Sequence, residues 1–87
     1  MRFSIYTLEK SLFEGEIKSA TLPTNAVEIT VLYGHIPLIS SLKAGYVTVV
    51  EEDGAITKIE INGGFLEVRP PQAQRTEVVI LAEGKIT

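Results

Sequence analysis

YVTVVEEDGAITKIEINGG, residues 46–64, decides the fold class. Successive side chains of an extended chain point to opposite sides, so Val47 and Val49 share one face of a strand at 46–51. Glu52-Asp53-Gly54 follows. Asp-Gly is a strong hairpin signal, because the tightest turns need positive φ at their central residues. The return strand at 55–61 puts Ile59 and Ile61 inward and Lys58 and Glu60 outward. Asn62-Gly63-Gly64 then reads as a second tight turn.

The same grammar extends both ways. Downstream, 65–68 is a strand that Arg69-Pro70-Pro71-Gln72 breaks. Val78-Val79-Ile80-Leu81-Ala82 is a nearly continuous apolar run, which predicts a central strand buried on both faces. Residues 83–87 form a polar tail. Upstream, 2–9 alternate, with Phe3, Ile5 and Thr7 opposite Ser4, Tyr6 and Leu8. Phe13 precedes a turn at Glu14-Gly15, and alternation resumes at 16–22. Pro23 cannot donate to a sheet ladder and ends that strand. Residues 24–26 are a loop, 28–32 a short β-branched strand, and Tyr33-Gly34-His35 a turn. Residues 36–42 fit either a helix with Pro37 at its first position or an edge strand. A strand or irregular segment is preferred, because no helical period lasts the ten or so residues a helix needs. Lys43-Ala44-Gly45 turns the chain again. The total is about eight to ten short strands and no long helix. The expectation is an all-β antiparallel β-sandwich or flattened barrel.

At 87 residues with a hydrophobic fraction of 45%, the chain reads as one folded domain, 1–87, with a modest core. It has no cysteine, so it can hold neither a disulfide nor a Cys-type zinc site. The net charge is −3, and the eight Lys and Arg are scattered, which argues against nucleic-acid binding. No apolar run approaches the ~20 residues of a membrane-spanning helix. The N-terminus lacks the apolar core of a signal peptide.

Catalytic chemistry is hard to assemble. His35 is the only His and Asp53 the only Asp, so neither finds a partner of metal-ligand type. Each reads more simply as a turn residue. There is no G-x-S-x-G elbow, and Asn62-Gly63-Gly64 lacks the Lys of a phosphate loop. No catalytic residue, cofactor or metal site is expected, and a binding or structural role is left. One competing class is a lipoyl-type carrier, which is also small, acidic and all-β, with Lys43 as the modified residue. Those domains place Asp before that Lys, and here Leu42 stands there.

Residues 22–45 carry the most specific pattern: Leu22-Pro23-Thr24, Glu28-Ile29 with Val31-Leu32, Gly34-His35-Ile36-Pro37-Leu38, and Leu42-Lys43-Ala44-Gly45. Leu12-Phe13-Glu14-Gly15-Glu16 precedes it. Gly63-Gly64-Phe65-Leu66-Glu67-Val68 and Val79-Ile80-Leu81-Ala82-Glu83 follow in order. Together these resemble the N-terminal β-sandwich domain of the epsilon subunit of F-type ATP synthase, over almost the whole chain. Two positions depart from the pattern: Val27, where the family often has Gly, and Tyr33, where it usually has Pro. Most members continue into two α-helices, whereas this chain stops at Thr87, which reads as a natural short form. The inhibitory and nucleotide-sensing behaviour of those helices is not carried over.

The resemblance implies a non-catalytic rotor subunit of the central stalk, in a proton- or sodium-translocating complex. Its partners would be the gamma subunit and the ring of c subunits. It would lie peripherally on the cytoplasmic side of a bacterial inner membrane, or on the equivalent face of an organelle membrane. By motif position, Thr24, Asn25, Glu28 and Thr30 would contact the c-ring, and Thr7, His35, Ser40 and Tyr46 the gamma shaft.

Overall fold

The computed structural model describes residues 1–70 and 75–83. Among the described residues are eight strands: β1 (Arg2–Tyr6), β2 (Ser11–Pro23), β3 (Glu28–Leu32), β4 (Leu38–Leu42), β5 (Gly45–Glu51), β6 (Ile56–Ile61), β7 (Gly64–Val68) and β8 (Glu77–Ala82). No helix occurs among the described residues. The all-β expectation holds, and 38–42 is a strand.

The strands hydrogen-bond in the order β4-β7-β8-β1-β2-β5-β6, with β3 also on β2. The 13-residue β2 is the hinge of this arrangement. Its first half pairs with β1 in one sheet, and its second half pairs with β3 and β5 in the other. Between the halves the register with β5 shifts at Ile17/Ser19. Such an irregularity bends a strand and sharpens its twist, which lets one strand serve two layers. The first sheet is thus β4-β7-β8-β1 and the start of β2. The second is β3, the end of β2, β5 and β6.

Side chains from both inner faces fill the space between the layers. Phe3, Ile5, Leu66 and Ile80 from the first sheet and Val31, Val47 and Val49 from the second have no exposed surface. Phe13 closes one side, its ring edge-on to Phe3 at 6.0 Å. Val47 and Val49 point inward as their alternation requires. The hairpin at Asp53-Gly54 forms as expected: Gly54 has φ 92°, and the Asp53 carboxylate accepts from the Ala55 N–H at 2.9 Å.

Three local expectations are corrected. Glu14-Gly15 is not a turn, because β2 runs straight through it with Gly15 opposite Phe3; ladder bonds to β1 override the local preference. The sandwich is not wholly antiparallel, since β1 and β8 pair in parallel. Almost the full chain separates those two strands, which leaves ample length for a parallel crossover. β8 is central but not buried on both faces: its burial alternates, and Leu81 is exposed. Asn62-Gly63-Gly64 turns the chain as expected, leading from β6 of the second sheet to β7 of the first. The Arg69–Gln72 break and the 83–87 tail fall partly outside the described residues.

Candidate interaction surfaces

Pro23 ends β2 and pairs with Glu28, the first residue of β3, so residues 24–27 form the loop between them. Thr24 holds that loop from within. Its side chain is buried; its hydroxyl accepts from the Ala26 N–H (3.3 Å) and Val27 N–H (3.0 Å) and donates to the Val27 carbonyl. It therefore shapes the loop and presents no surface. Asn25, Ala26, Val27 and Glu28 are exposed around it.

The loop is also tied to β4. Asn25 donates through Nδ2 to Ser41 Oγ (2.6 Å) and through its N–H to the Ser41 carbonyl (3.3 Å). The Lys43 N–H donates to the Pro23 carbonyl at 2.9 Å. Thr30 stands on the outer face of the second sheet, its hydroxyl 3.0 Å from that of Thr21. Thr24→Val removes the hydroxyl while keeping shape and leaves loop groups unsatisfied. It should cost about 1–2 kcal/mol and lower the melting temperature by roughly 5–15 °C. A thermal melt checks this, and an unchanged midpoint would show that the hydroxyl does not hold the loop.

Thr7, His35, Ser40 and Tyr46 are not brought together. Thr7 begins the β1–β2 hairpin, where its hydroxyl accepts from the Glu9 and Lys10 N–H groups at 3.2 Å each. His35 lies at the other end of the sandwich. The adjoining Gly34 N–H donates to Thr76, just before β8 begins, while Thr7 follows the end of the parallel β1. His35 Nδ1 is 2.7 Å from the Ile36 carbonyl, a local contact of the kind expected of a lone loop His. Tyr46 is on the outer face of the second sheet opposite Glu60. Ser40 lies on β4 opposite the buried Leu66.

A further surface escaped the sequence reading. Ser41, Phe65, Leu81 and Tyr6 stand in one register row across β4, β7, β8 and β1. Phe65 is 61% exposed, Leu81 44% and Tyr6 36%; Ile39 in the neighbouring row is 77% exposed. The outer face of the first sheet is thus an apolar patch, the usual mark of a contact surface. The corresponding face of the second sheet carries Thr21, Thr30, Thr48 and Lys58 in one register row, flanked by the exposed Leu32, Ile56 and Tyr46. The available signal was the alternation phase. Phe65 and Leu81 fall on the outward positions of strands whose inward positions are already apolar.

Charge on the patch is partly neutralised. Arg69 contacts Glu67 and Glu77 at 3.3 Å each. The hydrogen bond that Arg69 donates to the Glu67 carboxylate is the main cause raising the Arg69 pKa above its ordinary value. Among the described residues no group of three or more His, Cys, Asp or Glu could hold a metal ion.

Residues 1–86 match the family described as ATP synthase, Delta/Epsilon chain, beta-sandwich domain. The chain belongs to this ATP synthase delta/epsilon family. Its relatives include the ATP synthase epsilon chain of Bordetella petrii, 41% identical over 70 residues, covering 80% of this chain and 50% of that one. The Dichelobacter nodosus epsilon chain is 35% identical over 83 residues, covering 93% and 54%. The delta/epsilon sandwich also superposes on a chain of the Euglena gracilis mitochondrial ATP synthase, solved as OSCP/F1/c-ring in rotational state 1. That match has a TM-score of 0.81 and 26% identity, over 92% of this chain and 48% of that one. A chain of the Tetrahymena thermophila mitochondrial ATP synthase central stalk/c-ring shares the fold, with TM-score 0.69 and 17% identity over 93% and 63%. The chain spans about half the length of the curated relatives it matches. The lipoyl-carrier alternative draws no support from these relatives. Lys43 sits in the tie between β4 and Pro23.

Proposed function

We propose that residues 1–87 form one epsilon-type domain acting as a non-catalytic rotor subunit of a proton- or sodium-translocating F-type ATP synthase. It sits peripherally at the membrane, on the cytoplasmic side in a bacterium or the equivalent organelle face, between the c-ring and the gamma shaft. The observation that carries this reading is the family match over residues 1–86, with epsilon chains among the relatives. Ring rotation turns the domain, and the domain carries torque to the shaft. A sandwich whose layers share β2 suits that task, because force on one layer passes into the other through a continuous backbone.

The ring contact is the 24–30 segment. Asn25, Glu28 and Thr30 present its surface, and Thr24 fixes its shape from inside. Glu28 faces basic groups of the ring loops. The shaft contact is the outer face of the first sheet, with Thr7 at its margin; Ser40, between the outward Ile39 and Ser41, stands on the inward row with Leu66. His35 and Tyr46 lie outside that face, at the far end and on the other sheet, so any shaft contact of theirs is separate from it. Asn25 and Ser41 join the two contacts, because the loop is bonded to the strand that edges the apolar face.

Purified gamma subunit mixed with the chain should co-elute on size exclusion at micromolar concentration; separate elution would count against a stalk role. Glu28→Lys turns an attraction of about 0.2–1 kcal/mol into a repulsion of similar size. It should lower proton- or sodium-driven ATP synthesis in the reconstituted complex about two- to tenfold. Unchanged coupling would remove Glu28 from the ring contact.

A further inference from the structure

Leu8 stands at the β1–β2 hairpin 94% exposed. The turn that carries it is fixed, since Thr7 bonds both the Glu9 and Lys10 N–H groups and the Lys10 carbonyl. A large apolar side chain held rigidly in water, beside an apolar sheet face, marks a place that something covers. Beneath it lies a hollow of about 350 Å³ walled by Leu8, Phe65 and Leu81, with Thr7, Glu9 and Glu83 also lining it. Gly64 and Ala82, both small, complete the lining.

The charges say what kind of group fits. Glu9 and Glu83 are exposed, and neither forms an ion pair with another described residue. Glu67 and Glu77 on the same sheet are already held by Arg69. The hollow is therefore an apolar seat between two carboxylates that have no ion-pair partner among the described residues. We infer that it receives an apolar side chain of the gamma shaft, carried on a segment with a Lys or Arg beside it that meets Glu9 and Glu83. This rests on the rotor reading above and names the chemistry of the shaft at one point. The carboxylates guide the segment and set its register, and the apolar side chain supplies the close packing.

The test titrates the 87-residue chain into purified gamma subunit of the same complex by calorimetry. Leu8→Ser and Phe65→Ala should each weaken binding by about tenfold or more. The double variant Glu9→Lys with Glu83→Lys should weaken it to a similar degree at about 50 mM salt and recover much of the loss at about 500 mM, where screening shortens the reach of the charges. Thermal melts of all variants should stay near wild type, since every altered residue is exposed. Wild-type binding with undiminished affinity in these variants overturns the inference and leaves the rotor reading standing. A loss in the charge variant that salt does not relieve overturns the basic-partner assignment. Failure of the unaltered chain to bind gamma overturns both. Sedimentation showing a dimer that Leu8→Ser dissolves assigns the hollow to a second copy and also overturns the inference.

Discussion

Gly64→Ala is expected to cost more than about 4 kcal/mol and to abolish soluble expression or lower the melting temperature by about 20 °C or more. A Cβ added at Gly64 would lie 2.3 Å from the Leu81 carbonyl oxygen and 2.9 Å from the Ala82 Cα. Both are backbone atoms of the central strand β8, so no side chain can swing aside. Gly64 also has φ 148°, a region that side chains rarely adopt. It pairs with Leu42 of β4 on one side and Ala82 of β8 on the other, so any shift disturbs two ladders. A domain of this size has roughly 4–13 kcal/mol of stability in all, so the loss is of the order of the whole. Gly34→Ala is the control. Gly34 has φ 84° but nothing within 4 Å of an added Cβ. That change should cost only about 1 kcal/mol. Comparable melts for the two variants would show that the close approach of β7 to β8 is not what Gly64 is for.

Leu81→Lys should separate fold from function. Leu81 is the centre of the apolar row, between Phe65 and Tyr6, and points away from the core. A Lys there can extend into water from the free domain, so stability should change by less than about 1 kcal/mol. Against a packed partner the same ammonium would be pressed into an apolar contact, where it would compete with the partner's basic group for Glu9 and Glu83. Binding of the gamma subunit should fall about 30-fold or more, equivalent to about 2 kcal/mol. Calorimetric titration with purified gamma, beside a thermal melt, reads both effects. Full affinity in this variant would move the shaft contact off the first sheet. Loss of affinity together with a collapsed melt would place Leu81 in the fold and not in the interface.

Those two residues mark the boundary of what the sequence says. Asp53-Gly54 announced its hairpin and Pro23 its strand end because both act through local geometry, whatever surrounds them. Val47 and Val49 announced their inward face because a two-residue period leaves no other choice in a half-buried strand. Glu14-Gly15 misled, since pairing with β1 outweighs a local turn preference. Residues 78–82 misled in a different way. An apolar run says that both faces avoid polar groups, but it cannot say whether the outer cover belongs to the same chain.

The candidate site divides along the same line. Motif order placed Asn25, Glu28 and Thr30 on one exposed segment, because they are neighbours in sequence. It grouped Thr7, His35, Ser40 and Tyr46 although strand direction sends them to different ends and different sheets. Thr24 looked like a surface hydroxyl and proved to be the buried pin of its loop.

By itself, then, the sequence determined the all-β class, most strand limits and the family, because these depend on local periodicity, turn chemistry and ordered motifs. Only the tertiary structure decided that β2 is shared by two layers, that β1 meets β8 in parallel, and that Tyr6, Ile39, Phe65 and Leu81 form one exposed face. The physical reason is that each of these joins residues far apart in the chain, and their register follows from ladder bonds and packing that no local pattern encodes.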